Sequence, residues 1–217
     1  MRRPTFSYLV KSAGPLHSGP MEAMSAEGDR EQQLLAAAQD LIREGRTLNL
    51  SLGDVADRVG VSRSLLYVYF EGVPAIIDAL FLQHLSRLEE RILPELEAGD
   101  EPYRERASAA YAAYLDYLIE SGPILLLILR ERHQDSPLGP DSQRRFRRLL
   151  RRLAEETRRA LDLAPREAFV LIELTSGIPE ALARLVRGGE IDGETAHATC
   201  RRLVMASIDG FAVSSSN

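Results

Sequence analysis

Hydroxyl and basic side chains are concentrated in one short stretch, "SLGDVADRVGVSRSLLYVYF", residues 51–70. It contains three serines, two tyrosines and two arginines within twenty positions. Serine and tyrosine hydroxyls suit phosphate oxygens, and an arginine guanidinium binds either a phosphate or the edge of a guanine. These residue types favour contact with a nucleic acid over the making or breaking of covalent bonds.

Two short helices are needed to position these groups. Ser51 is a predicted N-cap, Ala56 lets the two helices cross closely, and Gly60 stands where the chain must turn. Leu66 and Phe70, four residues apart, lock the second helix against the first. This spacing predicts a helix-turn-helix over residues 51–70, with two packed helices and no nucleic-acid contact as the alternative. The predicted outward positions are Ser62, Arg63, Ser64, Tyr67, Val68 and Tyr69.

The same segment resembles the N-terminal domain of the TetR family of bacterial transcriptional regulators, over about residues 30–85. The resemblance is carried by Ser51, Ala56, Gly60-Val61-Ser62, Arg63, Leu66-Tyr67 and Phe70. It implies base or phosphate contacts from Arg63, Ser64 and Leu65, and phosphate contacts from Ser51, Tyr67 and Tyr69. It also implies an all-helical C-terminal domain that binds a ligand and dimerises.

Three positions depart from the family pattern: Gly53 replaces a basic residue, Leu65 a small or hydroxyl residue, and Val73 a lysine. The chain carries a net charge of −5, and residues 29–71 hold five arginines against seven acids. Fewer phosphate contacts predict weaker binding and a flatter salt dependence, while Leu65 suits a thymine methyl group. A helical ligand- or partner-binding protein whose helix-turn-helix has lost DNA competence is therefore the alternative function.

Apolar residues recur at helical spacing from Asp29 onward, and no strand alternation competes with them. The predicted fold is all-α, with a three-helix DNA-binding domain and a helical ligand-binding and dimerisation domain. The predicted domains are a disordered tail over 1–28, the DNA-binding domain over 29–73 and the ligand-binding and dimerisation domain over 74–217. Met21 and Met24, within the tail, are alternative translation starts. Further helices are predicted over 101–121, 123–133, 141–163, 165–187 and 192–213.

The composition argues against other classes. Cys200 is the only cysteine, so an intrachain disulfide and a multi-cysteine zinc site are excluded, as expected in a reducing cytoplasm. The apolar run over 123–129 is too short for a membrane span. No phosphate loop, nucleophile elbow or dinucleotide fingerprint is present, and His133, between Glu131 and Asp135, is interpreted as an exposed helix end rather than a metal ligand. We expect no catalysis, cofactor or metal.

Arginines dominate the predicted helix "RRFRRLLRRLAEETRRALD", residues 144–162. One interpretation is a surface for nucleic acid or lipid. The other is a surface helix whose arginines pair with neighbouring acids and lie over apolar surface.

Two further sites are predicted in the C-terminal half. An apolar pocket with a few polar groups suits a small hydrophobic effector, and its predicted lining is Tyr111, Tyr114, Phe146, Glu173 and Thr175, with plain core packing as the alternative. An apolar stripe on the last helix suits dimerisation by helix packing, with the helix over 165–187 as its partner. The predicted interface is Phe169, Cys200, Leu203, Val204, Ile208 and Phe211, with burial inside the monomer as the alternative.

These inferences predict a cytoplasmic, homodimeric regulator that binds two half-sites of a double-stranded DNA operator. The resemblance favours a repressor that an effector releases from DNA.

Overall fold

Helices account for all regular secondary structure in the part of the chain that the computed structural model describes, residues 20–131 and 138–214. In chain order they are α1 (Pro20–Gly45), α2 (Leu52–Val59), α3 (Arg63–Tyr69), α4 (Val73–Glu97), α5 (Tyr103–Ser121), α6 (Ile124–Glu131), α7 (Pro140–Leu161), α8 (Pro165–Arg187) and α9 (Gly193–Ser214). The all-α prediction is confirmed, and the five predicted C-terminal segments all correspond to helices.

The first helix starts earlier than the sequence pattern indicates. A tail over 1–28 and a helix start at Asp29 are predicted, whereas α1 already begins at Pro20. Residues 21–27 consist mainly of Met, Glu and Ala, which are good helix formers, and contain no residue that stops a helix. Residues 1–19 of the predicted tail, and His133 with Asp135, lie outside the described residues.

Serine side chains cap both short helices, and Ser51 does so as predicted. The Ser51 Oγ accepts a hydrogen bond from the backbone N–H of Asp54 at 3.1 Å, and the Asp54 carboxylate accepts one from the Ser51 N–H at 3.0 Å. Gly60 ends α2 with φ 74° and ψ 36°, a left-handed conformation that glycine adopts without steric cost. The Ser62 Oγ accepts from the N–H of Leu65 at 3.3 Å. Local chemistry therefore fixes where α2 and α3 begin.

One continuous core runs from the first helix to the last. It includes Leu34, Ile42, Val55, Leu66, Phe81, Leu85, Leu115, Leu118, Leu125 and Val204, all fully buried. The long helix α4 packs against α1, α5, α6 and α7, and α5 packs against α4, α8 and α9. The helix-turn-helix and the C-terminal helices are thus joined by packed side chains, and the division at residue 73 stays a prediction.

Candidate nucleic-acid interface and effector cavity

Buried apolar residues hold α2 and α3 at a fixed crossing. Ala56 and Leu66 are fully buried, and Phe70 is 5% exposed. The N–H of Val61 donates to the carbonyl of Ala56 at 3.0 Å, which closes the turn between the helices. A larger side chain at Ala56 would push the helices apart, because the site has no free volume.

The outward face of α3 presents the predicted contact residues. Tyr67 is 62% exposed and Val68 is 76% exposed. The other predicted contact residues that are exposed are Ser51, Ser62, Arg63 and Ser64. Leu65 and Tyr69 are half-buried, and Tyr69 packs against the core. The structure therefore exposes five of the seven predicted residues and partly covers the other two.

Arg63 does not extend straight outward. A Cβ atom built on Gly53 would lie 2.5 Å from Nη2 of Arg63, so the guanidinium rests directly against α2 at this glycine. Hydrogen bonds from Ser51, and to a smaller extent the charge of Arg63, lower the pKa of the Asp54 carboxyl. The glycine that departs from the family pattern thus provides the space in which Arg63 lies.

The second arginine of the motif is engaged in an ion pair. Arg58 donates to both carboxylate oxygens of Glu44, at 2.9 and 2.7 Å, and so ties α2 to α1. The hydrogen bond between them lowers the pKa of Glu44 and raises that of Arg58. Within α2 and α3, which the structure describes completely, Arg63 is the cation left for a phosphate or a base.

A cavity of about 1130 Å³ lies among helices α4 to α8. Four of the five predicted pocket residues line it: Tyr111, Tyr114, Phe146 and Glu173. Thr175 lies behind the wall, where its hydroxyl is hydrogen-bonded to the Tyr111 hydroxyl. The Tyr114 hydroxyl donates to Glu180 at 3.1 Å. Burial raises the pKa of both tyrosines, so each keeps its proton.

Tyr117, three residues after Tyr114 on α5, belongs to a buried polar chain instead. Its hydroxyl is hydrogen-bonded to Nδ1 of His84, whose Nε2 lies 3.2 Å from Nε2 of Gln39. His84 is 1% exposed, and burial, followed by the nearby positive charges of Arg87 and Arg43, lowers its pKa to about 4. A neutral imidazole supplies one donor and one acceptor to these partners. The sequence shows His84 only as one member of an apolar stripe.

The helix-turn-helix and the helices on either side of it match a known family. Residues 34–80 match the family model for "Bacterial regulatory proteins, tetR family". They form a TetR-type domain. The resemblance inferred from the motif is thereby confirmed, and the curated relatives are named as transcriptional regulators.

Sequence similarity to curated relatives extends beyond this TetR-type domain. The chain is 24% identical over 161 residues to the HTH-type transcriptional activator FasR of Mycolicibacterium smegmatis, covering 74% of this chain and 67% of the relative. It is 24% identical over 178 residues to the HTH-type transcriptional regulator TtgR of Pseudomonas putida, covering 82% and 76%.

Solved structures share the fold. A TetR-like transcriptional regulator from Rhodococcus sp. RHA1 superposes with a TM-score of 0.64 at 23% identity, covering 82% of this chain and 93% of that one. A TetR family transcription regulator from Marinobacter aquaeolei VT8 gives a TM-score of 0.67 at 16% identity, with coverages of 85% and 97%. The fold shared with these structures therefore includes the C-terminal helices as well as the TetR-type domain.

An apolar face outside the TetR-type domain lies across α8 and α9. Phe169 is 48% exposed and Leu203 is 47% exposed, as the predicted dimer interface requires. Cys200, Val204 and Ile208 are instead at most 4% exposed, and this corrects the predicted interface. They lie on the side of α9 that packs against α5, because a stripe at helical spacing has the same pattern whether it faces the core or a partner. Phe211 is half-buried.

Two residues of this face are absent from the predicted interface. Val170 is 46% exposed and Leu174 is 68% exposed. The sequence signal that identifies them is their spacing on α8. Val170 directly follows Phe169, and Leu174 lies four residues after Val170, on the same side of the helix. We call the set Phe169, Val170, Leu174 and Leu203 the apolar α8–α9 face.

Acidic neighbours engage five of the eight arginines of α7. Arg145 pairs with Glu89 of α4 at 2.5 Å, and Arg152 pairs with Glu97. Arg158 and Arg159 both pair with Glu155, and the hydrogen bond from Arg158 contributes most to lowering the pKa of that carboxyl to about 2. This pairing favours the surface-helix interpretation over a separate nucleic-acid site.

Within the described ranges 20–131 and 138–214, no group of three or more His, Cys, Asp or Glu side chains is arranged to hold a metal ion. The same residues contain no single helix that is both long and apolar enough to cross a bilayer.

Proposed function

We propose that this chain is a ligand-responsive transcriptional repressor that binds a palindromic double-stranded DNA operator as a homodimer in the cytoplasm. The observation that carries the proposal is the exposed face of α3 and its N-cap, where Ser62, Ser64 and Tyr67 project from a buried scaffold, with Arg63 lying beside them against Gly53. Such a helix fits the major groove, with its N-terminal residues at base edges and phosphates.

Release by a small hydrophobic effector is proposed to proceed through α4. This helix begins beside α3, packs against α1, and lines the cavity with Leu85, Leu88 and Ile92. An effector that favours one position of α4 changes the spacing between the two reading helices of the dimer, which must fit half-sites about one DNA turn or a multiple of it apart. Differential binding to the two arrangements lowers the affinity for DNA.

Few cations contribute to the proposed interface. With Arg58 paired to Glu44, the main contacts are hydroxyl groups, backbone N–H groups at the start of α3, and Arg63. Each neutralised phosphate steepens the salt dependence of binding. We therefore propose an unusually shallow salt dependence for this TetR-type domain.

Loss of DNA competence is the second candidate function, and one observation favours it. Arg63 rests against Gly53 rather than projecting from α3, which leaves the reading face without an extended cation. In that case the chain binds a ligand or a protein partner, and its helix-turn-helix is a structural remnant.

Footprinting on the DNA that flanks the chain's own gene distinguishes these candidates. We expect palindromic protection by the wild type at low and moderate salt. The double variant Tyr67→Ala, Arg63→Ala should bind about 100-fold more weakly, because losing one neutral and one charged contact costs about 3 kcal/mol. Arg148→Ala, an exposed arginine on α7, is the control and should leave protection unchanged.

Two outcomes of the footprint contradict the proposal. Absence of palindromic protection by the wild type would support loss of DNA competence. Equal protection by wild type and the double variant would place any DNA contact elsewhere on the chain.

The proposed homodimer predicts that one charge on the apolar α8–α9 face abolishes association. Leu174→Glu should convert the dimer to a monomer, because the carboxylate would be buried without a partner. Analytical ultracentrifugation measures this directly. Val68→Glu, at an apolar residue of α3 that is even more exposed than Leu174, should remain dimeric. A Leu174→Glu variant that sediments like the wild type would show that this face is not the interface.

A further inference from the structure

The cavity follows most of helix α5 and has chemically different ends. Both Tyr103, the first residue of α5, and Glu120, next to its last, line it. The helix rises about 25 Å between these positions. The wall between them is largely aliphatic and includes Leu85, Leu88, Ile92, Ala107, Ala110, Leu125 and Leu149. A long apolar body fits along this wall.

Helix α8 brings two arginines to one end of the cavity. Tyr114 donates to Glu180 midway along the two helices, and Nη1 of Arg187 donates to the carbonyl of Leu118, one turn further, at 2.7 Å. Arg184 lies one turn before Arg187 on the same lining face of α8. The order of these contacts places both arginines at the C-terminal end of α5.

The TetR-type domain contributes two more arginines to the same end. Arg43, in the last turn of α1, donates to the carbonyl of Ser121, and Arg46 directly follows α1 with a left-handed φ of 50°. Both line the cavity. Burial, and then the charge of Arg46, lower the pKa of Arg187, which indicates that these two guanidinium groups are close.

Of the four arginines at this end, Arg43 is paired with the carboxylate of Asp40 at 3.4 Å. Among the described residues, neither Arg46 nor Arg184 has a carboxylate oxygen within 4 Å. Glu120 is paired with Arg91 at 2.5 Å, and Glu190 folds back toward Gly188, where an added Cβ would lie 3.1 Å from its Oε1. Like charges held together are mutually unfavourable. An anion that bridges them would relieve this repulsion.

We propose that the effector is an amphipathic anion, an alkyl or acyl chain that ends in a carboxylate or a phosphate. Its chain lies along the aliphatic wall beside α5, and its head group is held by Arg46 and Arg184. Guanidinium groups match the paired oxygens of carboxylates and phosphates better than any other side chain does. This inference rests on the proposed role of the cavity as the effector site.

The two arginines belong to different parts of the fold. Arg46 lies between α1 and α2 of the TetR-type domain, whereas Arg184 lies in the last turn of α8. A head group bound by both ties the N-terminal helices to the effector domain directly. The same contact that selects an anion therefore also signals its presence to α2 and α3.

Calorimetric titration of the full chain with four ten-carbon probes tests the proposal. The probes are decanoate, decyl phosphate, decan-1-ol and decyltrimethylammonium, each below its micellar concentration. We expect one or both anions to bind at least tenfold more tightly than the alcohol, and the ammonium more weakly still. The ratio of decanoate to decyl phosphate affinity distinguishes the two head groups.

Variants of exposed arginines separate the head-group site from general charge. In the double variant Arg46→Gln, Arg184→Gln, the affinity for the anions should fall to within about twofold of the affinity for the alcohol, and alcohol binding should be retained. Arg148→Gln, Arg151→Gln, two exposed arginines of α7 outside the cavity, should keep the full preference. The melting temperature of each variant reports whether it is folded.

Three results would each overturn the proposal of an anionic ligand. They are equal binding of the alcohol and the anions, binding of none of the four probes, and an undiminished preference for anions in the Arg46, Arg184 double variant. These titrations contain no DNA, so their failure leaves the operator footprint untouched. Conversely, a head-group preference in a chain that protects no DNA would support the ligand class and contradict the repressor.

Discussion

Replacing Leu66 by alanine is expected to lower the free energy of unfolding by about 2–5 kcal/mol, the range for truncating a buried leucine. Leu66 is fully buried where α3 meets α2, and the other apolar residues that lock this crossing are Ala56 and Phe70. A helix of seven residues has little stability of its own, so α3 depends on this packing. Because α3 is the proposed reading helix, binding to DNA should be lost with it.

Urea unfolding followed by circular dichroism measures this effect, and the neighbouring residues provide the control. Val68→Ala shortens an apolar side chain on the same helix, but Val68 is 76% exposed. It should change the free energy of unfolding by no more than about 0.5 kcal/mol. Equal losses in the two variants would mean that intrinsic helix propensity, rather than burial of Leu66, holds α3 in place.

Replacing His84 by glutamine is expected to flatten the acid dependence of stability. In the folded chain the pKa of His84 is lowered to about 4, mainly by burial, whereas in the unfolded chain a histidine titrates near pH 6.5. Glutamine does not titrate, but it keeps a donor and an acceptor for Tyr117 and Gln39.

The direction of this pH dependence follows from where each state binds a proton. Between about pH 6.5 and pH 4 the unfolded state binds a proton at His84 that the folded state does not bind, so the free energy of unfolding falls as the pH is lowered through this window. Between about pH 7 and pH 4.5 the loss due to this one group is about 2 kcal/mol. Above the window both states are neutral at His84 and its contribution to the pH dependence vanishes.

Urea unfolding at these two pH values, in wild type and His84→Gln, isolates that contribution, because other titrating groups are common to both proteins. The wild type should lose about 2 kcal/mol more than the variant on acidification. An identical loss in both proteins would show that His84 is protonated as readily in the folded state as in the unfolded state.

Local sequence was sufficient to predict the helix-turn-helix. Caps, a left-handed glycine and apolar residues four positions apart act within a few neighbouring residues, so Ser51, Gly60 and Leu66 could be placed without knowledge of the rest of the chain. The exposure of Val68 follows from the same periodicity, because a position two residues from both Leu66 and Phe70 lies on the opposite side of the helix. For the same reason the later helices were predicted close to their actual ends.

The early start of α1 shows where local signals were weaker. A glycine and an aspartate at positions 28 and 29 suggest a helix boundary, but neither residue excludes a helix interior. With helix-forming residues on both sides, α1 continues through them to Pro20.

The sequence by itself determined the all-α class, the positions of α2 and α3 and most of the exposed face of α3, because these depend on interactions between residues close in the chain. Only the tertiary structure decided which face of α9 is covered, that Arg63 rests in the space left by Gly53, and that His84 joins Gln39 to Tyr117. These depend on contacts between distant segments. A periodic stripe states that one side of a helix is apolar, but the packing of the other helices determines whether that side meets the core, a ligand or a second chain.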